Sequence, residues 1–472
     1  MSTPTPPPQT AAKDRLPVSE KVSFASGAFT FGMIYMGMAH LAYPIFNITL
    51  GISATTIGIV LAIGRLWDAV TDPLMGSISD NSRLRWGRRR PFILLGSLLC
   101  ALAFIFMFWV PSDWSERAIF IWFVFSIFFL YTASTVFSVP WLSLSYELTP
   151  DSNERTRLHA YRAYAGIGAS LLLPWLFSWA QSGAFDDTMV GMRWLSVGVA
   201  VAMILTALPV FFGCKERYAK KAATQAKIGV FKALGTTLHN RNFLILVLGV
   251  VTTMLCAPML VGSLAIYVNS YYVYQGDTAA GAMITAQAAM VFTAIKFIIL
   301  PIGVKLATRY GKRAVMRGAL IIGFFAAISQ FFFYTPALPQ MQFLTMLLMA
   351  PSMTCFWLLV DPMKADCADY DEWKTGMRRE GTYAAVANWI EKLCITVVLA
   401  FSGYLIDASG FDPALGGEQP EGTMFTLRLL FAVAPAIASI VALISLQFYT
   451  LGEGRMLEIR KELEARRGEI NA

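Results

Sequence analysis

The sequence predicts an all-α polytopic membrane protein, and three observations carry that prediction. Of its 472 residues, 56% are apolar and only 14% are charged, against roughly 25% charged in soluble domains. Apolar runs of bilayer-spanning length recur from Val22 to the region of Thr450. Basic residues gather in every second loop between those runs.

Dividing the apolar runs at loops gives about twelve spans of roughly 20 or more residues. In the first half they cover residues 22–48, 55–79, 91–110, 118–145, 160–181 and 192–213. In the second half they cover 243–271, 280–307, 314–334, 341–363, 382–406 and 425–451. The expected organisation is a polar, Pro/Thr-rich disordered tail (1–21), a six-helix half (22–213), a basic linker (214–241), a second six-helix half (242–451) and a tail (452–472). That last tail has the alternating charge of a surface helix over 452–468.

Loop charge sets the orientation. Lys13, Arg15 and Lys21 precede the first span; Arg83, Arg85, Arg88, Arg89 and Arg90 follow the second; Arg155 and Arg157 follow the fourth. The linker is basic, and so are the loops containing Arg309–Arg313 and Lys374–Arg379, whereas the alternate loops hold few cations beyond Arg117, Arg193 and Arg428. An even number of spans with both termini cytoplasmic satisfies this alternation. It also accounts for the net charge of +8 without nucleic acid as a partner.

An internal repeat marks the two halves. Gly76-x-x-x-Asp80 leading to Arg85-Trp86-Gly87-Arg88-Arg89-Arg90 follows the second span, and Gly303-x-x-x-Ala307-Thr308-Arg309-Tyr310-Gly311-Lys312-Arg313 follows the eighth. These basic turns serve either as topology signals or in gating. Cys100, Cys214, Cys256, Cys355, Cys367 and Cys394 have no metal or redox spacing and read as small buried hydrophobes. No nucleophile–base pair, metal motif or nucleotide loop supports an enzyme or a receptor.

Functional expectation centres on the second span. Asp68 and Asp72 are four residues apart, so a helix presents both carboxylates on one face. Ionisable groups at membrane depth are costly and usually functional. With Thr71 on the same span and Thr135 on the fourth, they offer the oxygen set that a hard cation prefers, either a proton or a sodium ion. The bland alternative is a structural salt bridge from Arg65 to one aspartate. Ser138 lies one turn beyond Thr135, and Arg162 near the start of the fifth span either closes the cytoplasmic side or binds substrate hydroxyls. In the second half Lys296 interrupts the eighth span, and Asp361-Pro362 is expected to break the end of the tenth. Lys296 either pairs with Asp361 or reaches toward the interface. Asn388 and Lys392 share a face of the eleventh span beside Glu391, and Asp68 or Asp72 is the expected partner of Lys392. Trp141 and Trp357 offer ring faces on which a sugar or an acyl chain can stack.

These residues resemble a known family. Arg65-x-x-Asp68-Ala69-x-x-Asp72-Pro73-x-x-Gly76, Arg85-Trp86-Gly87-Arg88, Val139-Pro140-Trp141-x-Ser143-Leu144, Glu154-Arg155 with Arg162, and the stretch from Ala365 to Lys374 leading to Glu380 and Lys392 are similar, in order, to the glycoside–pentoside–hexuronide:cation symporters. That family is the melibiose permease-like branch of the major facilitator superfamily. The resemblance implies the major facilitator fold and a cytoplasmic-membrane symporter for a sugar, glycoside or uronate, coupled to H+ or Na+. It further implies Asp68, Thr71, Asp72 and Thr135 at the cation site, and Arg162, Trp357, Asn388 and Lys392 at or beside the sugar cavity. Gly32 and Ser138 stand near positions where melibiose permease carries acids, which leaves the ion open. Expected partners are a small-molecule substrate, either a neutral or an anionic sugar, and membrane lipids; a monomer is expected, with no cofactor. The alternative substrate is a lysolipid or another amphiphile.

Overall fold

A computed structural model describes residues 15–111, 113–149, 152–216, 240–256, 264–376 and 380–470. Most of the expected N-terminal tail and of the basic linker, together with Arg378 and Arg379, lies outside the described residues. The chain is divided into two compact units, Met1–Ile52 with Ile63–Ala226, and Ser53–Ala62 with Lys227–Ala472.

The described residues of the first unit are helical. The expected opening span is a bent segment made of α1 (Val18–Ser26), α2 (Ala28–Tyr35) and α3 (Gly37–Ala42), followed by a π-helical turn, Tyr43–Thr49. Gly27 continues the helix in right-handed geometry, and a Cβ there would lie 2.5 Å from the Trp141 indole nitrogen, so only glycine allows the ring this close. The segment bends by 47° between Tyr35 and His40. Pro44 supplies no N–H, and the widened turn after it is tied by Asn47 Nδ2 donating to the Ile52 carbonyl at 2.7 Å. Then come α4 (Ala54–Asn81), α5 (Arg90–Phe108), α6 (Glu116–Leu148), α7 (Ser152–Ala180) and α8 (Thr188–Gly213). Helix α5 packs against α6 and α8, while α1 and α2 pack against α7.

The second unit comprises α9 (Arg241–Cys256), a π-helical turn (Val268–Val273), α10 (Thr278–Tyr310), α11 (Lys312–Phe333), α12 (Gln342–Thr375), α13 (Glu380–Ala408), α14 (Glu421–Gln447) and α15 (Glu453–Ile470). Here α11 packs against α12 and α14. In span order that repeats the pattern of the first unit, the third helix against the fourth and sixth. The first turns of α4 group with this unit because Asp407 caps them: Ser53 Oγ, Ala54 N–H and Thr55 N–H donate to its carboxylate at 2.7, 3.2 and 2.8 Å.

Among the described residues ten helices are long and apolar enough to cross a membrane, or eleven with the bent opening segment, against about twelve expected. Large apolar side chains such as Val70, Leu205 and Phe325 are more than half exposed on them, as lipid-facing positions are. The chain is an integral membrane protein.

Two expectations are corrected. Pro362 does not end the tenth span: α12 runs through Pro351 and Pro362 to Thr375. A proline removes one ladder bond, and packing on neighbouring helices is enough to hold a helix this long through it. The C-terminal helix is also more than a surface element, since Met456, Ile459 and Leu463 are buried in the apolar core of the second unit.

The repeated basic turns are built alike. Gly87 (φ +112°) and Gly311 (φ +85°) take up left-handed backbone just before α5 and α11. In the first turn Arg88 and Arg89 both pair with the buried Glu147, Arg89 Nη2 reaches Asp80 at 2.9 Å, and the backbone N–H groups of Arg88, Arg89 and Arg90 donate to Glu216 at 2.7–3.0 Å. In the second, Lys312 pairs with the buried Asp366. Arg88, Arg89 and Lys312 are thus tied to acids on other helices.

Candidate functional site

The first unit gathers most of the expected cation site. Asp68 is 1% exposed and Arg65, one turn earlier on α4, is 7% exposed. The Arg65 guanidinium lies 3.7 Å from Asp68 Oδ2. It is further held by two rings, its Cζ standing 4.3 Å from the centroid of Tyr35 and 5.5 Å from that of Tyr131. On the other side Thr135 donates to Asp68 Oδ1 at 3.0 Å, and its hydroxyl is 2.9 Å from that of Thr71. Tyr35 completes the shell: its phenol donates to Asp68 Oδ2 at 3.5 Å and lies 3.4 Å from Ser138 Oγ.

The spacing explains the convergence. Arg65 and Asp68 are i,i+3 on α4 and Asp72 follows one turn on, while Tyr131, Thr135 and Ser138 are spaced i, i+4 and i+7 on α6. One face of each helix supplies the set. Asp72 is only half-buried, so the fully enclosed carboxylate of this pair is Asp68. Arg65 and Asp68 form an ion pair, and the hydroxyls of Thr71 and Thr135 sit around the same acid. Chemically the site is an enclosed carboxylate with a resident cation and a chain of exchangeable hydroxyl protons. Tyr35 and Tyr131 did not figure among the expected site residues. The α6 periodicity could have found Tyr131, whereas nothing local ties Tyr35 to Arg65.

Trp141 occupies a different setting. It is fully buried, stacked on Phe24 and Phe137 at centroid distances of 5.3 and 5.7 Å, with its indole N–H donating to the Phe24 carbonyl at 3.0 Å. The ring is a packing element, with half-buried Arg162 approaching to 5.7 Å, rather than an open face on which a sugar could stack.

In the second unit the expected partners separate. Lys296 forms no ion pair among the described residues and lies 5.5 Å from the Phe292 ring on its own helix. Asp361 bonds instead to Lys364 at 3.1 Å, and the same ammonium reaches Glu391 at 2.5 Å, so Lys364 joins α12 to α13. The i,i+3 spacing of Asp361 and Lys364 carried that signal. Trp357 is half-buried against the apolar core, Asn388 is exposed and Lys392 is half-buried on α13.

Comparison with known proteins gives this architecture its relatives. The Putative glycoside/cation symporter YagG of Escherichia coli is 24% identical over 95% of both chains. The Glucuronide carrier protein homolog of the same organism is 24% identical over 95% of this chain and 94% of its own. The Putative sulfoquinovose importer, also from E. coli, is 24% identical over 96% and 95%. Among solved structures, the D-xylose-proton symporter matches with a TM-score of 0.64 at 15% identity, covering 90% of this chain and 97% of that one. A bacterial homologue of the human lysosomal transporter Spinster matches with a TM-score of 0.64 at 16% identity, covering 94% and 97%. Such likeness at low identity establishes the major facilitator fold. These relatives are transporters rather than enzymes, and a transporter binds a small-molecule substrate. A family described as MFS/sugar transport protein matches residues 23–453, and the chain belongs to it.

Proposed function

We propose that this transporter is a symporter that carries a sugar, glycoside or uronate across the bacterial cytoplasmic membrane by alternating access, driven by a coupling cation at Asp68. The observation that carries this reading is the enclosed Arg65–Asp68–Thr135–Thr71 constellation on α4 and α6. A carboxylate is sealed inside a membrane helix only at large desolvation cost, unless it is paired and used.

A proton suits Asp68 better than a sodium ion. Sodium needs a shell of oxygens free of a competing cation, and Arg65 already stands 3.7 Å from Oδ2 while Thr135 takes Oδ1. A proton needs only one oxygen. Its arrival neutralises Asp68 and removes the counter-charge of Arg65, which is then available to a second acceptor. Asp72, one turn further and half-buried, is the group through which the site exchanges ions with its surroundings. Arg162 supplies a half-buried guanidinium in the first unit, which favours an anionic sugar such as a uronate. Names among the relatives, a glycoside/cation symporter and a glucuronide carrier homologue, support the substrate class. A homologue named as an inner membrane symporter supports the location.

The test is uptake into vesicles reconstituted with the purified protein, across a panel of neutral glycosides, uronates and lysophospholipids. The expected result is uptake of a sugar-class compound that an inward proton gradient drives, a protonophore collapses, and Asp68→Asn abolishes. Sugar uptake that ignores every ion gradient and persists in Asp68→Asn would overturn the coupling, and transport of lysophospholipids alone would overturn the substrate class.

A further inference from the structure

The second unit carries an open cavity of about 430 Å³ away from the candidate cation site. It forms where the end of α10, the start of α11, the middle of α12 and the turn from α14 into α15 meet. Its charged lining comprises Lys312, Arg313, Arg317, Asp366 and Glu453. Lys312 and Asp366 neutralise each other. That leaves two guanidinium groups facing one carboxylate, a net positive lining.

The two arginines are placed to meet a ligand. Arg313 is anchored by donating from Nη2 to the Gln447 carbonyl at 2.9 Å, which leaves its remaining donors to other partners. Arg317 lies one turn further along the same face of α11 and is exposed. Neither forms an ion pair among the described residues. The cavity also stands at a defined depth. Tyr310 ends one bilayer-length helix and Lys312 begins the next, so the lining is level with the membrane surface. Tyr310 and Leu457, each 57% exposed, give its rim an apolar character.

We propose that this cavity binds a phosphate-bearing ligand through Arg313 and Arg317. Guanidinium forks match phosphate oxygens with paired donors. The volume lies within the range of small-molecule sites, about 300–1,000 Å³. It accommodates a glycerophosphate group but not acyl chains, which the apolar rim would direct along the outside of the helices. The same chemistry is offered by the headgroup of an anionic phospholipid and by a soluble phosphate ester. The site is independent of the cation proposal, because none of its residues contributes to the Asp68 cluster.

The experiment is thermal unfolding of the delipidated, detergent-purified full chain. The probes are phosphatidylglycerol, diacylglycerol as the phosphate-free control, inorganic phosphate and glycerol 1-phosphate. The proteins are the wild type, Arg317→Gln, Arg313→Gln/Arg317→Gln, and Lys461→Gln as a control charge outside the cavity. A bound ligand raises the melting temperature with concentration. The wild type and Lys461→Gln are expected to gain stability from phosphatidylglycerol but not from diacylglycerol, with the shift at least halved in Arg317→Gln and lost in the double variant. A shift from the lipid alone assigns the site to a headgroup, and an equal shift from glycerol 1-phosphate assigns it to a soluble ester. No shift from any phosphate compound, a shift from diacylglycerol as large as that from phosphatidylglycerol, or a shift unchanged in both variants would overturn the proposal.

Discussion

Replacing Arg65 by glutamine removes the cation nearest Asp68 while leaving a polar side chain of similar reach. At 3.7 Å, and with an effective dielectric constant of ~20, two unit charges attract by about 4–5 kcal/mol. Taking away one member of a buried pair leaves the other charge desolvated and uncompensated, a loss of about 3–5 kcal/mol. Asp68 is the more enclosed partner, so Arg65→Gln falls at the upper part of that range. Asp68→Asn is the milder change, because the guanidinium keeps the faces of Tyr35 and Tyr131, contacts worth up to about 2 kcal/mol when desolvated. The double variant leaves no unpaired charge at either position and recovers at least half of the Arg65→Gln loss. Melting temperatures of the four proteins in one detergent, read as a double-mutant cycle, measure the coupling directly. The expected order has wild type highest, then Asp68→Asn and the double variant, with Arg65→Gln lowest. If Arg65→Gln melts with the wild type, or if the two losses simply add, the buried pair is not what holds this part of the first unit together.

Other consequences follow from the ends of the helices. Glu216→Ala removes the acceptor for the N–H groups of Arg88, Arg89 and Arg90, and should lower stability by about 1–2 kcal/mol, with Glu216→Gln losing less. The same melting assay reports it. Glu154, outside the bilayer-spanning segment, links stability to pH. Burial alone would raise its carboxyl, but the bond from Lys21, the Leu16 N–H at 3.1 Å and the charges of Lys21 and Arg157 together hold it below the ordinary carboxylate range. A depressed carboxyl contributes stability that is fully present above its unfolded pKa and is lost as the pH falls through the folded one. Melting temperature should therefore drop on acidification below about pH 4, and Glu154→Gln should flatten that limb.

Much of the fold was legible because a bilayer imposes one rule on every span. Apolar length reports it directly, and helices α4 to α8 and α10 to α14 fall where it places them. The opening segment was less legible. Its bend between Tyr35 and His40 and the π-helical turn after Pro44 are backbone features that hydropathy does not record. A second π-helical turn recurs at Val268–Val273, and each turn carries a buried asparagine: Asn47 bonds to the Ile52 carbonyl just beyond its own turn, and Asn269 to Gln342 on α12. That repeat is weak in composition and emerges only with the backbone. Pro362 misled for the complementary reason, since its local cost is real but smaller than the packing that carries α12 through it.

The candidate site divides along the same line. Arg65, Asp68, Thr71 and Asp72 lie close in sequence, and Thr135 and Ser138 repeat on one helix face, so periodicity brought them together. Tyr35 joins them from another helix, and Lys364 displaces Lys296 as the partner of Asp361 because the ammonium one turn away is already within reach. Trp141 shows the limit of residue type as a guide. An aromatic beside a polar cluster can as easily be the wall that shapes it as the surface that binds.

The central claim is that Asp68 carries the coupling proton. Substrate-induced proton movement into sodium-free proteoliposomes, followed with an entrapped pH dye, tests it most directly. The wild type should acidify the lumen when substrate is added outside, and Asp68→Asn should show no such signal while still exchanging labelled for unlabelled substrate. A proton signal in Asp68→Asn equal to that of the wild type, or wild-type uptake that requires sodium and moves no protons, would contradict it.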